Sequence, residues 1–173
     1  MPFPNRRPTK VKNLSWFEKG FVSAAIDGEG TITIAQKIRK QRYVWGKKPK
    51  NKKNYKTFIP NISIANTNKN FLKYIKHIIG IGYITKNKAR PKKNKKAHYR
   101  YSIENLADIE KLLNQIINTL IVKRKQAEIL LNYCSLRLDK LALNKGRIDL
   151  ARYGDEERRL VKAIRKLNKR GLK

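Results

Sequence analysis

The chain has 173 residues, 40% of them hydrophobic and 32% charged, which suits one folded domain and excludes wholesale disorder. Lys and Arg number 43 against 12 Asp and Glu, a formal charge of +31 at pH 7, so a polyanion such as nucleic acid is the first partner to consider. No apolar run is long enough to span a bilayer, and there is no apolar signal-peptide core, so no membrane role is expected. The single Cys134 excludes an internal disulfide, and with only His77 and His98 beside it a Cys/His zinc site is excluded too.

Residues 1–13 hold three prolines and four basic residues and read as a mobile basic arm. Ser15 with Glu18 forms a capping box that starts a helix, expected to run to about Ile26 and to stop at Gly28 and Gly30. Residues 31–43 alternate: Ile32, Ile34 and Ile38 on the inner parity, Thr31, Thr33, Lys37, Arg39 and Gln41 on the outer. A Gly/Pro/Asn-rich basic loop over 44–56 leads to a second strand, 57–65, with Phe58, Pro60, Ile62 and Ile64 inward and Asn61 and Ser63 outward. Asn68 caps a helix over 69–79, which Gly80 and Gly82 end. The third strand, 82–88, exposes Tyr83, Thr85 and Asn87. After the basic turn 89–97, a fourth strand, 98–103, sets Tyr99, Tyr101 and Ile103 against His98, Arg100 and Ser102. Helical periodicity runs from Leu106 to Leu143 with a break near Ile121, and a last charged helix covers 155–169. This order predicts an α+β fold, an antiparallel sheet backed by helices on one face.

Between Gly30 and Ile103 there is no Asp or Glu, while Lys and Arg recur from Lys37 to Arg100. Aromatic and β-branched residues run through the same stretch, so it reads as a folded basic face rather than a tail. At its edge lie Asp27 and Glu29, the only carboxylates from Gly20 to Ile103. Cutting a phosphodiester needs an activated water and relief of phosphate charge, and a carboxylate-bound divalent metal supplies both. The plain alternative is that the pair only ends a helix, where the macrodipole disfavours a carboxylate.

Val22-Ser23-Ala24-Ala25-Ile26-Asp27-Gly28-Glu29-Gly30 resembles the nine-residue LAGLIDADG motif, with acidic residues at its sixth and eighth positions and glycine at its ninth. It departs from the motif at Val22, Ser23, Ala24 and Ala25, keeping small side chains where two motif helices pack closely. Leu120–Ala127 resembles the family's basic stretch opening a late helix, and Ile79–Ile84 its turn into the third strand. The resemblance, to single-motif LAGLIDADG homing endonucleases, covers residues 14–135 and implies an αββαββα domain over 14–143, whose saddle-shaped sheet rides on DNA. Residues 144–173 then form a basic helical extension.

The resemblance implies a site-specific endonuclease that makes a double-strand break with Mg²⁺, Ca²⁺ supporting binding without cutting. Glu29 and the Gly28 carbonyl are the implied metal ligands, and Lys123 the lysine that hydrogen-bonds the attacking water or stabilises phosphorane charge. Asn66 corresponds to a polar residue of the family's pocket. Asp27 has a capping part in the helix interface, which Gly20, Ser23 and Ala24 line. Expected DNA contacts are Thr33, Lys37, Arg39, Gln41, Asn61, Ser63, Tyr83, Thr85, Asn87, Arg100 and Ser102. One motif copy implies a homodimer with one catalytic centre per strand and a pseudo-palindromic target. A strand of about 40 Å covers on the order of ten base pairs per subunit, hence about twenty per dimer. The implied setting is intracellular, a prokaryotic cytoplasm or an organelle.

Two rival readings stay open. One is a non-catalytic RNA-binding protein of maturase or ribosomal type, stacking bases on Tyr43, Trp45, Tyr55 and Phe58; a host-intron RNA is also a candidate second partner of the nuclease. The other is a transcription regulator on the same fold with a dead active site. The isolated pair Asp27 and Glu29 argues against the first, and retention of Glu29 and Lys123 against the second.

Overall fold

The computed structural model describes residues 9–40, 54–87, 97–144 and 152–169. Its elements are α1 (Trp16–Glu29), β1 (Gly30–Lys40), β2 (Asn54–Asn66), α2 (Lys69–Ile79), β3 (Tyr83–Asn87), β4 (His98–Ile103), α3 (Leu106–Ile116), α4 (Arg124–Leu143) and α5 (Asp155–Leu167). The four strands form one antiparallel sheet in the order β1-β2-β4-β3. The α+β order expected from the sequence is the observed one.

Alternation decides which face is covered. Ile32 pairs with Ile62, and Ile62 with Ile103, so their side chains share the helix-covered face. There they join Ile34, Ile64 and Tyr101 in a core with Leu72, Ile75, Ile109, Leu112, Leu130 and Tyr133 from the helices. Each fully buried aliphatic side chain of this kind contributes roughly 1.5–3 kcal/mol. Ile38, expected inside, is 67% exposed, because it lies on the inner parity beyond the reach of the helices.

The helix starts follow from side-chain caps. Ser15 and Glu18 form the complete capping box, and Asn68 and Asn105 each accept two amide hydrogens at the starts of α2 and α3. α2 ends at Gly80, and the chain then turns at Gly82, with a φ of +88°. A Cβ at Gly82 would fall 2.5 Å from the Tyr101 ring, whose hydroxyl donates to the Ile81 carbonyl. Glycine is thus required twice over, by dihedral and by space.

Two expectations are corrected. The described part of the N-terminal arm is docked: Val11 is buried, the Lys12 amide donates to the Ile79 carbonyl, and Gln115 bonds both the Leu14 amide and the Lys12 carbonyl. An apolar side chain among the basic residues supplies the anchor; residues 1–8 lie outside the described residues. At the other end, α5 belongs to the core, with Val161 and Ile164 buried in it. Glu157 is buried against Arg137 at 3.2 Å and Lys140 at 2.6 Å. Burial alone would raise its carboxyl, but the Lys140 ammonium, the Gly154 amide and Arg137 together hold it below the ordinary value. Asn168 donates to the Ile32 carbonyl, satisfying a backbone acceptor on the outer edge of β1.

Candidate active site and nucleic-acid interface

α1 runs on to Glu29, past the stop expected at Gly28, and β1 begins at once with Gly30. A Cβ at Gly30 would lie 2.5 Å from the Ile26 carbonyl oxygen, so only glycine lets helix pass into strand without a linker. This abrupt junction leaves the Glu29 side chain exposed at the end of the sheet. Asn66, at the end of β2, donates from Nδ2 to Glu29 Oε2 at 2.5 Å, while its own Oδ1 accepts the Asn68 amide at 2.7 Å. Antiparallel pairing of Gly30 with Ile64 brings these ends together, so two expected site residues 37 positions apart in sequence meet.

Asp27 has a different task. Its carboxylate accepts the backbone amides of Ile121 (2.7 Å), Val122 (3.2 Å) and Lys123 (2.9 Å), in the turn that opens α4. Partial burial pushes this carboxyl up, but the amides of Ile121, Lys123 and Val122, with the Lys123 charge, outweigh it and hold it below the usual range. Asp27 thus caps the turn before α4 within the subunit. Lys123 turns back to α1. Its Nζ donates to the carbonyls of Ile26 (2.8 Å) and Asp27 (2.5 Å), closing the C-terminal end of α1. It is neither one solvated lysine among many nor a group aimed at open solvent. Partial burial lowers its pKa, and the Asp27 charge partly restores it.

The uncovered face of the sheet carries most of the expected contact residues. Thr33 lies opposite Asn61, Thr31 opposite Ser63, Ser63 opposite Ser102, and Tyr83 opposite Ser102. Lys37, Tyr83, Thr85 and Arg100 are exposed; Thr33, Asn61 and Asn87 are half-buried, Asn87 bonding His98 at 3.0 Å. Ser63 and Ser102, expected as contacts, are buried at 4% and 3% exposure, two small side chains opposite each other on neighbouring strands. Gln41 lies outside the described residues, and of Arg39 only the backbone is described. Thr33, Ala35, Asn61, Tyr83, Thr85, Arg100, Ser102 and Glu104 line a depression of about 300 Å³ on this face. Burial raises the Tyr83 phenol, and its hydrogen bond and proximity to Glu104 add to the rise.

No protein-family model matches the sequence, and no curated protein matches it. Solved structures do. An archaeal intron-encoded homing endonuclease, I-Vdi141I, complexed with DNA, superposes with a TM-score of 0.61 at 21% identity, over 91% of this chain and 87% of that one. The homing endonuclease I-CvuI, in complex with DNA in the presence of magnesium, gives 0.55 at 15% identity over 86% of this chain and 94% of that one. The chain has the homing-endonuclease fold. I-SmaMI, bound to an uncleaved DNA target with calcium ions, matches 94% of this chain with a TM-score of 0.58 at 15% identity, and the chain spans 49% of its length.

In this homing-endonuclease fold α1 leaves one side open. Phe17, Gly20, Ala24 and Gly28, three and four residues apart, share a face and are exposed, and a Cβ at Gly20 or Gly28 would meet nothing within 4 Å. Trp16 (85% exposed), Ile121 (87%) and Val122 (71%) add large apolar surface at the two ends of the helix. Ser23, expected on this face, is instead buried and bonds Thr119 at 2.6 Å. It lies one position off the open stripe, and the helical turn aims it at Thr119, in the turn that follows α3.

As to metal, no group of three or more His, Cys, Asp or Glu gathers among the described residues. Asp27 is occupied by three amides, which leaves Glu29 as the exposed carboxylate of the turn. One carboxylate with backbone and amide oxygens is a hard donor set that suits Mg²⁺ or Ca²⁺ when substrate phosphate and water complete the shell. Sequence reasoning passed over Glu104. Its signal was available: it continues the outward parity of Arg100 and Ser102 one step beyond β4.

Proposed function

We propose that this protein is a site-specific DNA endonuclease that works as a homodimer and makes a double-strand break in a pseudo-palindromic duplex of about twenty base pairs. The observation that carries the reading is Glu29: an exposed carboxylate, steadied by Asn66, at the end of a cationic sheet whose four strands hold no Asp or Glu. Lys37, Arg100 and their neighbours draw the phosphate backbone onto that face and set the duplex in register. Glu29, with the Gly28 carbonyl beside it, would hold a divalent ion, Mg²⁺ for cutting. Such an ion supplies charge relief on the phosphate and an acidified water. Asn66 orients the Glu29 carboxylate. Lys123 acts one step back, fixing the end of α1 that presents Glu29.

The open stripe of α1 with its apolar flanks supports self-association, since a contiguous apolar patch on a monomer marks a partner surface. One Glu29 then serves each strand. The RNA-stacking rival loses Phe58, whose ring stands edge-on to Tyr153 with centroids 4.9 Å apart.

The test is incubation with Mg²⁺ and a plasmid carrying the uninterrupted allele of the host gene. A clean break at one site, absent with Ca²⁺, is the expected result. The affinity for the target duplex should also fall with salt, at a log–log slope of about −0.9 per phosphate contacted. Failure to cut any duplex, together with equal or tighter binding to RNA, would overturn the reading.

A further inference from the structure

Glu104 is the acid that the sheet face was expected to lack. It follows β4 directly, and its carboxylate lies in the depression on the uncovered face, 3.4 Å from Asn61 Nδ2 and 3.8 Å from Lys37 Nζ. Tyr83 lines the same depression beside it. These neighbours hold the carboxylate in place without covering it: its side chain stays 35% exposed. A lone carboxylate on a face built to attract phosphate works against affinity, since it repels the backbone that every other charge there draws in. Its use must lie in what it selects.

We infer that Glu104 forms a base-reading subsite that accepts the exocyclic amine of a cytosine in the major groove. The inference rests on the duplex-DNA reading above. An ionised carboxylate can only accept, and the amines of cytosine and adenine are the donors that base pairs offer in that groove. Adenine carries the N7 acceptor next to its amine, which opposes a second carboxylate oxygen; cytosine carries no acceptor beside its amine on that edge. Guanine and thymine present acceptors and are repelled. Phosphate repulsion by Glu104 lowers binding to every sequence, and only the correct base restores it, the logic of selection by penalty.

The experiment selects duplexes from a randomised library with the parent protein, Glu104→Gln and Glu104→Ala, in Ca²⁺, and then measures affinities on single synthetic duplexes. The parent should fix cytosine at one position of each half-site. Glu104→Gln, whose amide both donates and accepts, should admit adenine there. Glu104→Ala should lose the discrimination at that position by about tenfold, the scale of one good base contact, and should bind unselected DNA more tightly than the parent. All other positions should keep their preferences. A Glu104 that acts only by orienting Asn61 changes affinity without changing the preferred base. If both variants return the parent's preferences, the subsite is refuted while the endonuclease reading stands. If the parent enriches no sequence at all, the endonuclease reading itself falls, and this inference with it.

Discussion

Asp27 and Lys123 hold each other from both directions. The Lys123 amide donates to the Asp27 carboxylate at 2.9 Å, and the Lys123 ammonium donates to the Asp27 backbone carbonyl at 2.5 Å. An acid sits poorly at the end of its own helix, because the macrodipole there is negative. Here the Asp27 carboxylate reaches the amides that open α4, and the Lys123 charge covers the carbonyls that close α1. Each helix end receives the sign it prefers from the other. The junction that carries Glu29 is thereby fixed from behind.

Asp27→Asn should therefore weaken the fold, with a loss of about 1–2 kcal/mol in urea unfolding at neutral pH, as a charged acceptor of three amides becomes neutral. The pH dependence follows from the sign of the shift. The folded carboxyl titrates below its unfolded value of about 3.9, so its contribution is complete above that value and fades as pH falls through the folded one. The gap between parent and Asp27→Asn should accordingly narrow below about pH 4. A gap that stays constant to pH 2 would show that the charge is irrelevant.

Glu29 and Lys123 should separate in their signatures. Glu29→Gln keeps the shape and the Asn66 partner but loses the charge, so cleavage should fall by orders of magnitude with thermal stability and DNA affinity unchanged or slightly raised. Lys123→Met should lower stability as well as slow cleavage, because two carbonyls at the end of α1 lose their donor. Melting curves and cleavage rates on one target duplex decide this. A Lys123→Met protein as stable as the parent would return Lys123 to a direct part in the chemistry.

Assembly should depend on Ala24. A leucine there places a branched side chain in the middle of the small-residue stripe of α1, where nothing in the subunit itself obstructs it. Ala24→Leu should thus leave the fold intact, shift sedimentation toward monomer and abolish double-strand cutting. A dimeric, active Ala24→Leu protein would place the interface elsewhere.

The seat of α5 should depend on Glu157. Glu157→Gln removes the charge that Arg137, buried at 3% exposure, and Lys140 both bond, and breaking a buried pair from one side costs about 3–5 kcal/mol. Proteolysis should then release the C-terminal segment while the rest of the domain stays folded. Resistance equal to the parent's would mean that Tyr153 and Val161 hold α5 without the ion pair.

The order of elements was written in the sequence, because period, caps and glycines act locally. Ser15 with Glu18, Asn68, and the alternation around Ile32, Ile34, Ile62 and Ile64 each specify their segment through neighbours a few residues away. The motif turn was also legible, since Asp27 and Glu29 stand alone in a long cationic stretch. What the sequence could not decide was which partner each side chain takes across the fold. Asn66 meets Glu29 only because strand pairing sets their register, and Lys123 turns back to α1 only because Asp27 recruits the turn before α4. Ser23 looked like an interface residue and proved to be a core one, as one position on a helix rotates a side chain by a hundred degrees. Val11 and Glu104 show the same limit. One is anchored and the other is set on the uncovered sheet face through contacts with residues far away in the chain, and hydrogen bonds and burial of that kind come into being only when the sheet and helices close on each other.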